Sequence, residues 1–98
     1  MKNYNGKYCI VRTYSAGVFA GNVESREGQE VIIKNARRLW FWDGACSLSE
    51  LALTGTKRPD KCKFTVTVDE IEVIEAIEII PCTEKAEASI KGVKVWEY

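Results

Sequence analysis

Residues 70–80 read EIEVIEAIEII, and whether this stretch is strand or helix decides the class of the fold. Counted in twos, Ile71, Val73, Glu75, Ile77 and Ile79 share one face, apolar except at Glu75. Counted at helical spacing, Ile71, Ile74 and Ile77 form a competing stripe. β-branched side chains are stiff at χ1 and suit a pleated surface better than a helix. Five isoleucines and one valine in this stretch therefore favour β. The reading predicts one long strand over 70–80, closed by Pro81.

Working outward, Thr83 to Lys91 is rich in Glu, Lys and Ala, and predicts a helix that Gly92 stops. Val93 to Trp96 follows as a short edge strand. On the other side, Cys62 to Val68 predicts a strand after the polar loop Thr56–Lys61, which holds Pro59. Ser47-Leu48-Ser49-Glu50 has the form of a capping box. Leu48, Leu51 and Ala52 share one stripe behind it, and Gly55 ends the short helix. Ahead of Gly44 the pattern is a meander of four short strands: Lys7–Tyr14, Val18–Glu24, Val31–Ile33 and Arg37–Trp42. Ser15–Gly17 and Arg26–Gly28 supply turns, and Asn35 interrupts the last two strands. Gly21 inside a strand marks a bulge or a close backbone approach. The expected fold is mainly β (α+β), a small SH3-like or partly open antiparallel barrel with two short helices.

The chain has 98 residues, 46% of them hydrophobic and 29% charged. That fits a single domain over 1–98 with a core of its own and argues against disorder. Fourteen basic and fourteen acidic residues give a formal net charge of zero. No global field therefore draws the chain to nucleic acid or to an acidic membrane. No apolar run approaches the ~20 residues of a membrane span, and Met1–Gly6 lacks the apolar stretch of a secretory signal. The expected location is the cytosol. There is no histidine, which excludes Ser-His-Asp and Cys-His nucleophile systems. Cys9, Cys46, Cys62 and Cys82 lack metal-ligand spacing and read as small buried hydrophobes. No cofactor, metal site or catalytic residue is expected.

Three stretches together carry a likeness: RTYSAGVFAG at 12–21, ARRLWFWDGACSLSELALTGT at 36–56 and IIPCTEKAEASI at 79–90. Over about nine-tenths of its length the chain resembles a family of small uncharacterised tailed-bacteriophage proteins. The resemblance implies a phage product made in host bacterial cytosol. It supplies no residue roles.

The densest candidate cluster is Arg37-Arg38-Leu39-Trp40-Phe41-Trp42-Asp43. Strand alternation puts Arg38, Trp40 and Trp42 on one face and Arg37, Leu39 and Phe41 on the other. A guanidinium beside two indoles suits a planar anionic ligand: indoles stack on a base and Arg forks onto phosphate. The bland alternative is tryptophan in the core with Arg laid over it. A second cluster is Arg12, Tyr14 and Ser15, where the Ser15–Gly17 turn offers backbone N–H groups. The third, Thr56, Lys57 and Arg58, is a small hydroxylated and basic loop without P-loop spacing. For both, an ordinary solvated turn or loop is the competing reading. Glu75 interrupts an apolar face, so it is either turned outward or paired. Ser47 and Ser49 have no nearby base, and Ser47 is explained as a cap.

These features favour a non-enzymatic binding protein that sequesters a small anionic ligand, such as a nucleotide second messenger of host defence. Its pocket is expected between subunits of a homo-oligomer, because a domain this small has little concave surface. The alternative is a module that inhibits a host bacterial protein, with Trp40, Phe41 and Trp42 as anchors. Nucleic-acid binding is disfavoured by neutrality. Hydrolysis of a nucleotide by Glu75 or Asp43 has the least support.

Overall fold

The computed structural model of the protein describes residues 4–97. Its strands are β1 (Tyr8–Thr13), β2 (Val18–Glu27), β3 (Glu30–Phe41), β4 (Lys63–Val73) and β5 (Ala76–Pro81). Helix α1 (Leu48–Thr54) and a 3-10 turn (Pro59–Lys61) lie between β3 and β4, and α2 (Glu84–Gly92) follows β5. The strands form one antiparallel sheet of order β4-β3-β2-β1-β5. It is a meander whose last strand returns to pair with the first. The sheet is not closed, as the expected partly open barrel requires.

The stretch 70–80 is β, but it is not one strand. β4 ends at Val73 and β5 begins at Ala76. A continuous strand from Lys63 to Ile80 would reach about 60 Å at ~3.3 Å per residue, and the molecule's longest extent is 36 Å. The chain therefore bends at Ile74–Glu75 and passes from one edge of the sheet to the other without reversing, since β4 and β5 run in the same sense. The backbone at Glu75 accepts from Tyr14 N–H at 2.9 Å, and Ala76 N–H donates to Gln29 O at 3.0 Å. These bonds tie the bend to the β1–β2 and β2–β3 turns.

The two strands expected on either side of Asn35 are a single strand, β3. Asn35 has φ +50, and the β2–β3 register slips there: Asn22 pairs with Lys34, and Ala20 with Arg37. One residue, Gly21, thus opposes two, which is a β-bulge. A Cβ on Gly21 would lie 2.5 Å from Ile33 Cγ2 and 2.7 Å from Lys34 O. The glycine is the close approach that the bulge requires.

The bulge also changes which residues face which layer. One apolar cluster joins the helices to the sheet through Tyr8, Ile10, Leu39, Phe64, Leu51 and Ile90. The other is built from strand residues, among them Cys9, Val11, Phe19, Ile33 and Ala36. β1 feeds both by alternation, which is why it reads as an unbroken apolar run. On β3, Val31 and Ile33 face the all-strand cluster. Beyond Asn35 the parity shifts, so Ala36 faces that cluster while Leu39 faces the helices. Arg37, two residues before Leu39, turns under the helices too.

The helices dock on each other as well. Ser47 caps α1, accepting from Glu50 N–H, and Thr83 caps α2, accepting from Ala86 N–H. Thr83 Oγ1 donates to Leu53 O at 2.7 Å. Val93 to Trp96 makes less than the expected strand: one parallel bridge, Phe64 to Val95, with Trp96 N–H on Phe64 O at 2.9 Å.

Candidate functional site

The sequence marked Arg37 as a ligand contact, and the structure corrects this. Arg37 is 3% exposed. Its Nε donates to Thr65 O at 2.7 Å, Nη1 to Ile90 O at 2.8 Å and Nη2 to Val93 O at 2.5 Å. The guanidinium also lies over the Phe64 ring, 5.5 Å from its centroid. Ile90 and Val93 close α2, where the dipole is negative, and Ile90 O also accepts from Val93 N–H at 3.3 Å. Arg37 is a clamp that holds the end of α2 against β3 and β4. Burial lowers its pKa, but a guanidinium keeps its charge in proteins.

Arg38 points the other way. It is exposed, and its guanidinium lies 4.7 Å from the Phe19 ring centroid. Trp40 is 59% exposed, and Trp42 is half-buried against the helix-side cluster. With Ser15, Ala16, Gly17, Val18 and Leu39, these three line an open depression of about 540 Å³. Four predicted residues from two separate clusters, Ser15, Arg38, Trp40 and Trp42, therefore meet at one place. The β1–β2 turn forms its rim. Thr13 Oγ1 donates to Gly17 O at 2.7 Å and accepts from Ala16 N–H at 2.9 Å, which fixes the turn.

The other predicted residues lie elsewhere. Arg12 Nε bonds Glu78 Oε1 at 2.9 Å across the β1–β5 pair. Tyr14 is exposed beside the turn and does not line the depression. Glu75 sits in the bend between β4 and β5, where its carboxylate accepts from Ser15 Oγ. It is thus neither in the barrel interior nor on a strand face.

Thr56, Lys57 and Arg58 form a bracket on the Asp43–Gly44 turn. Thr56 Oγ1 donates to Asp43 O at 2.5 Å and accepts from Arg58 N–H at 3.0 Å, while Lys57 N–H donates to Gly44 O at 3.1 Å. Gly44 has φ +83, and a Cβ there would stand 2.5 Å from Arg58 N. The Lys57 and Arg58 side chains reach solvent at a separate hollow shared with Cys46 and Glu50.

Two neighbours of the site escaped the sequence reading. Trp96 stacks on Trp40, centroids 5.2 Å apart and planes 14° from parallel. Lys63 Nζ lies 5.3 Å from the Trp40 ring, 5.5 Å from Trp96 and 6.0 Å from Phe41. Phe41 was expected opposite Trp40, yet it is 46% exposed and shares the same lysine.

Cys9, Cys62 and Cys82 are buried and Cys46 is exposed, all four as free thiols. Burial, aided by Cys9, pushes the Cys82 thiol up to about 12. Burial also raises the Tyr8 phenol above its ordinary value, with Cys82 adding to it. Among the described residues no group of three His, Cys, Asp or Glu side chains is arranged to hold a metal ion. Among them, too, no helix is long and apolar enough to cross a membrane.

The family model of a domain of unknown function, DUF6948, matches residues 6–90. No curated protein and no solved structure matches the chain.

Proposed function

The chain belongs to the DUF6948 family, a domain of unknown function, and from its surface chemistry we propose a non-enzymatic protein that sequesters a small planar anion. The observation that carries this reading is the depression where Arg38, Trp40 and Trp42 meet the Ser15–Gly17 turn. An exposed indole offers a stacking face worth ~1–3 kcal/mol per base. The Arg38 fork supplies a charge-assisted contact to a phosphate, and the turn supplies backbone N–H groups. The ligand class that uses all three is a nucleotide. In a protein of bacteriophage origin, working in host cytosol, that ligand is a second messenger of bacterial defence. A second copy completes the wall that an open depression lacks.

Isothermal titration against cyclic dinucleotides and ADP-ribose-type compounds tests the proposal. The expected result is saturable binding to one of them, lost in Trp40→Ala and in Arg38→Ala. Absence of heat across the panel, with no small molecule retained on purification, would overturn it.

A second reading rests on a different observation. Trp40, Phe41 and Trp96 are exposed together around Lys63. Aromatic anchors ringed by charge are what protein-binding hot spots use, so this surface suits inhibition of a host protein. Pull-down from bacterial lysate should then recover one stoichiometric protein, and Trp96→Ala should lose it.

A further inference from the structure

β4 stands at the edge of the sheet, and among the described residues β3 is its only neighbouring strand. An open edge presents a row of unpaired backbone N–H and C=O groups, and proteins usually blunt it with Pro, Lys or a covering segment. Among the described residues the C-terminal tail meets β4 at Phe64, through the Val95 bridge and the Trp96 N–H bond. Beyond it runs Thr65-Val66-Thr67-Val68, a segment of high β propensity with neither Pro nor charge. Val66 is 59% exposed and Val68 is 40% exposed. The opposite edge, β5, is shorter, ends at Pro81 and carries the Arg12–Glu78 pair.

Charge along β4 is polarised. Lys61 and Lys63 stand at its start, with Lys94 on the adjacent tail, and Asp69, Glu70 and Glu72 stand toward its end. A parallel neighbour of the same sequence would set like charges together. An antiparallel one sets the lysine end of each copy along the acidic end of the other.

We infer that two copies of this chain associate through β4, edge to edge and antiparallel, about a two-fold axis at Thr67. In that register Val66 of each copy faces Val68 of the other. Arg38 opposes both Thr65 and Val66, and this bulge ends the regular ladder, so that the lysine end of each copy runs on along Asp69 of the other. The contact is isologous, so it uses both open β4 edges and closes at two copies. It does not depend on the ligand reading above, since neither Val66 nor Val68 lines the depression.

Sedimentation velocity of the full chain over a concentration series tests this. The expected result is a monomer–dimer equilibrium in the wild type. Val66→Lys should be monomeric, because the symmetry introduces the lysine twice; its far-UV circular dichroism should match the wild type, and its Tm should match at concentrations where the wild type is itself monomeric. Lys63→Glu should weaken dimerisation by roughly tenfold or more. Adding Asp69→Lys to it should restore the dimer. A wild type that stays monomeric at every soluble concentration would overturn the inference. So would a dimer that survives Val66→Lys, or a charge exchange that restores nothing.

Discussion

Arg37 lies beneath the helices with its guanidinium committed to main-chain carbonyls, whereas Arg38, one residue on, lies in the open beside two indoles. Identical side chains at adjacent positions thus serve packing in one case and line an open depression in the other. The cause is backbone parity. Without the bulge at Asn35, alternation from Val31 and Ile33 would carry Arg37 into the all-strand cluster and put Arg38 under the helices. One extra residue in β3, admitted by a glycine in β2, decides which arginine is free.

The largest effect should come from the buried arginine. Arg37→Leu removes a donor from the carbonyls of Ile90, Val93 and Thr65 inside a packed layer, and Ile90 O keeps the Val93 N–H at 3.3 Å. Unsatisfied buried polar groups cost ~1–3 kcal/mol each, and structural relaxation will recover part of that. The variant should lose about 3 kcal/mol or more in urea unfolding. Hydrogen exchange should quicken first at the end of α2 and in the tail. A loss below about 1 kcal/mol would mean that Arg37 is not the clamp.

Next comes the glycine that permits the bulge. Gly21→Ala puts a methyl group within 3 Å of Lys34 O, which is backbone and cannot swing aside. Overpacking of this kind costs ~1–3 kcal/mol. Amide shift changes should spread through β3 from Lys34 to Trp40, reaching both arginines. Changes confined to the immediate neighbours of Gly21 would show that the bulge does not set the parity.

The sequence showed the β class through its isoleucines, one helix through the Ser47 cap and the other through the Glu, Lys and Ala of 83–91, and the close approach at Gly21. Arg38, Trp40 and Trp42, expected on one strand face, do line one depression, although Trp42 lies beyond the end of β3 at Phe41. The sequence did not show the end of β4 at Val73, because the bend there is held by turns at Tyr14 and Gln29 that are distant in sequence. Nor did it show Arg37 as a clamp, since the acceptors lie on α2 and β4. Trp96 escaped for the same reason: it reaches Trp40 only through its bond to the β4 edge. Side chains governed by their neighbours in sequence were legible. Those governed by long-range pairing were not.

The closed layer should also respond to alkali. Tyr8 and Cys82 are buried within it. The folded Cys82 thiol has its pKa at about 12, while an unfolded cysteine titrates near ~8.5. As pH rises through that interval the unfolded chain loses the proton and the folded chain keeps it, so stability falls. The slope approaches about 1.4 kcal/mol per pH unit for one such group. Tyr8, raised in the same direction, adds its share above pH ~10, where an unfolded tyrosine ionises. Thermal melts from neutral to alkaline pH should show Tm declining across the window. Cys82→Ala should flatten the part below pH ~10, and an unchanged slope in that variant would assign the effect to another group.

The smallest effect on stability should come from Arg38→Leu, and this variant separates the two arginines most sharply. Arg38 is exposed, and its ring contact with Phe19 is worth ~0.5–1 kcal/mol at such a site. Leucine retains part of the packing over that ring, so the unfolding midpoint should shift by less than about 0.5 kcal/mol. Binding should behave oppositely, because the charge that meets an anion is gone while the indoles remain. The paired measurement is urea unfolding with ligand titration on Arg38→Leu, set beside Arg38→Lys. Lysine keeps the charge but loses the planar fork, so it should recover binding only in part. If Arg38→Leu instead unfolds the protein as Arg37→Leu does, the open face is part of the scaffold and the bulge separates nothing.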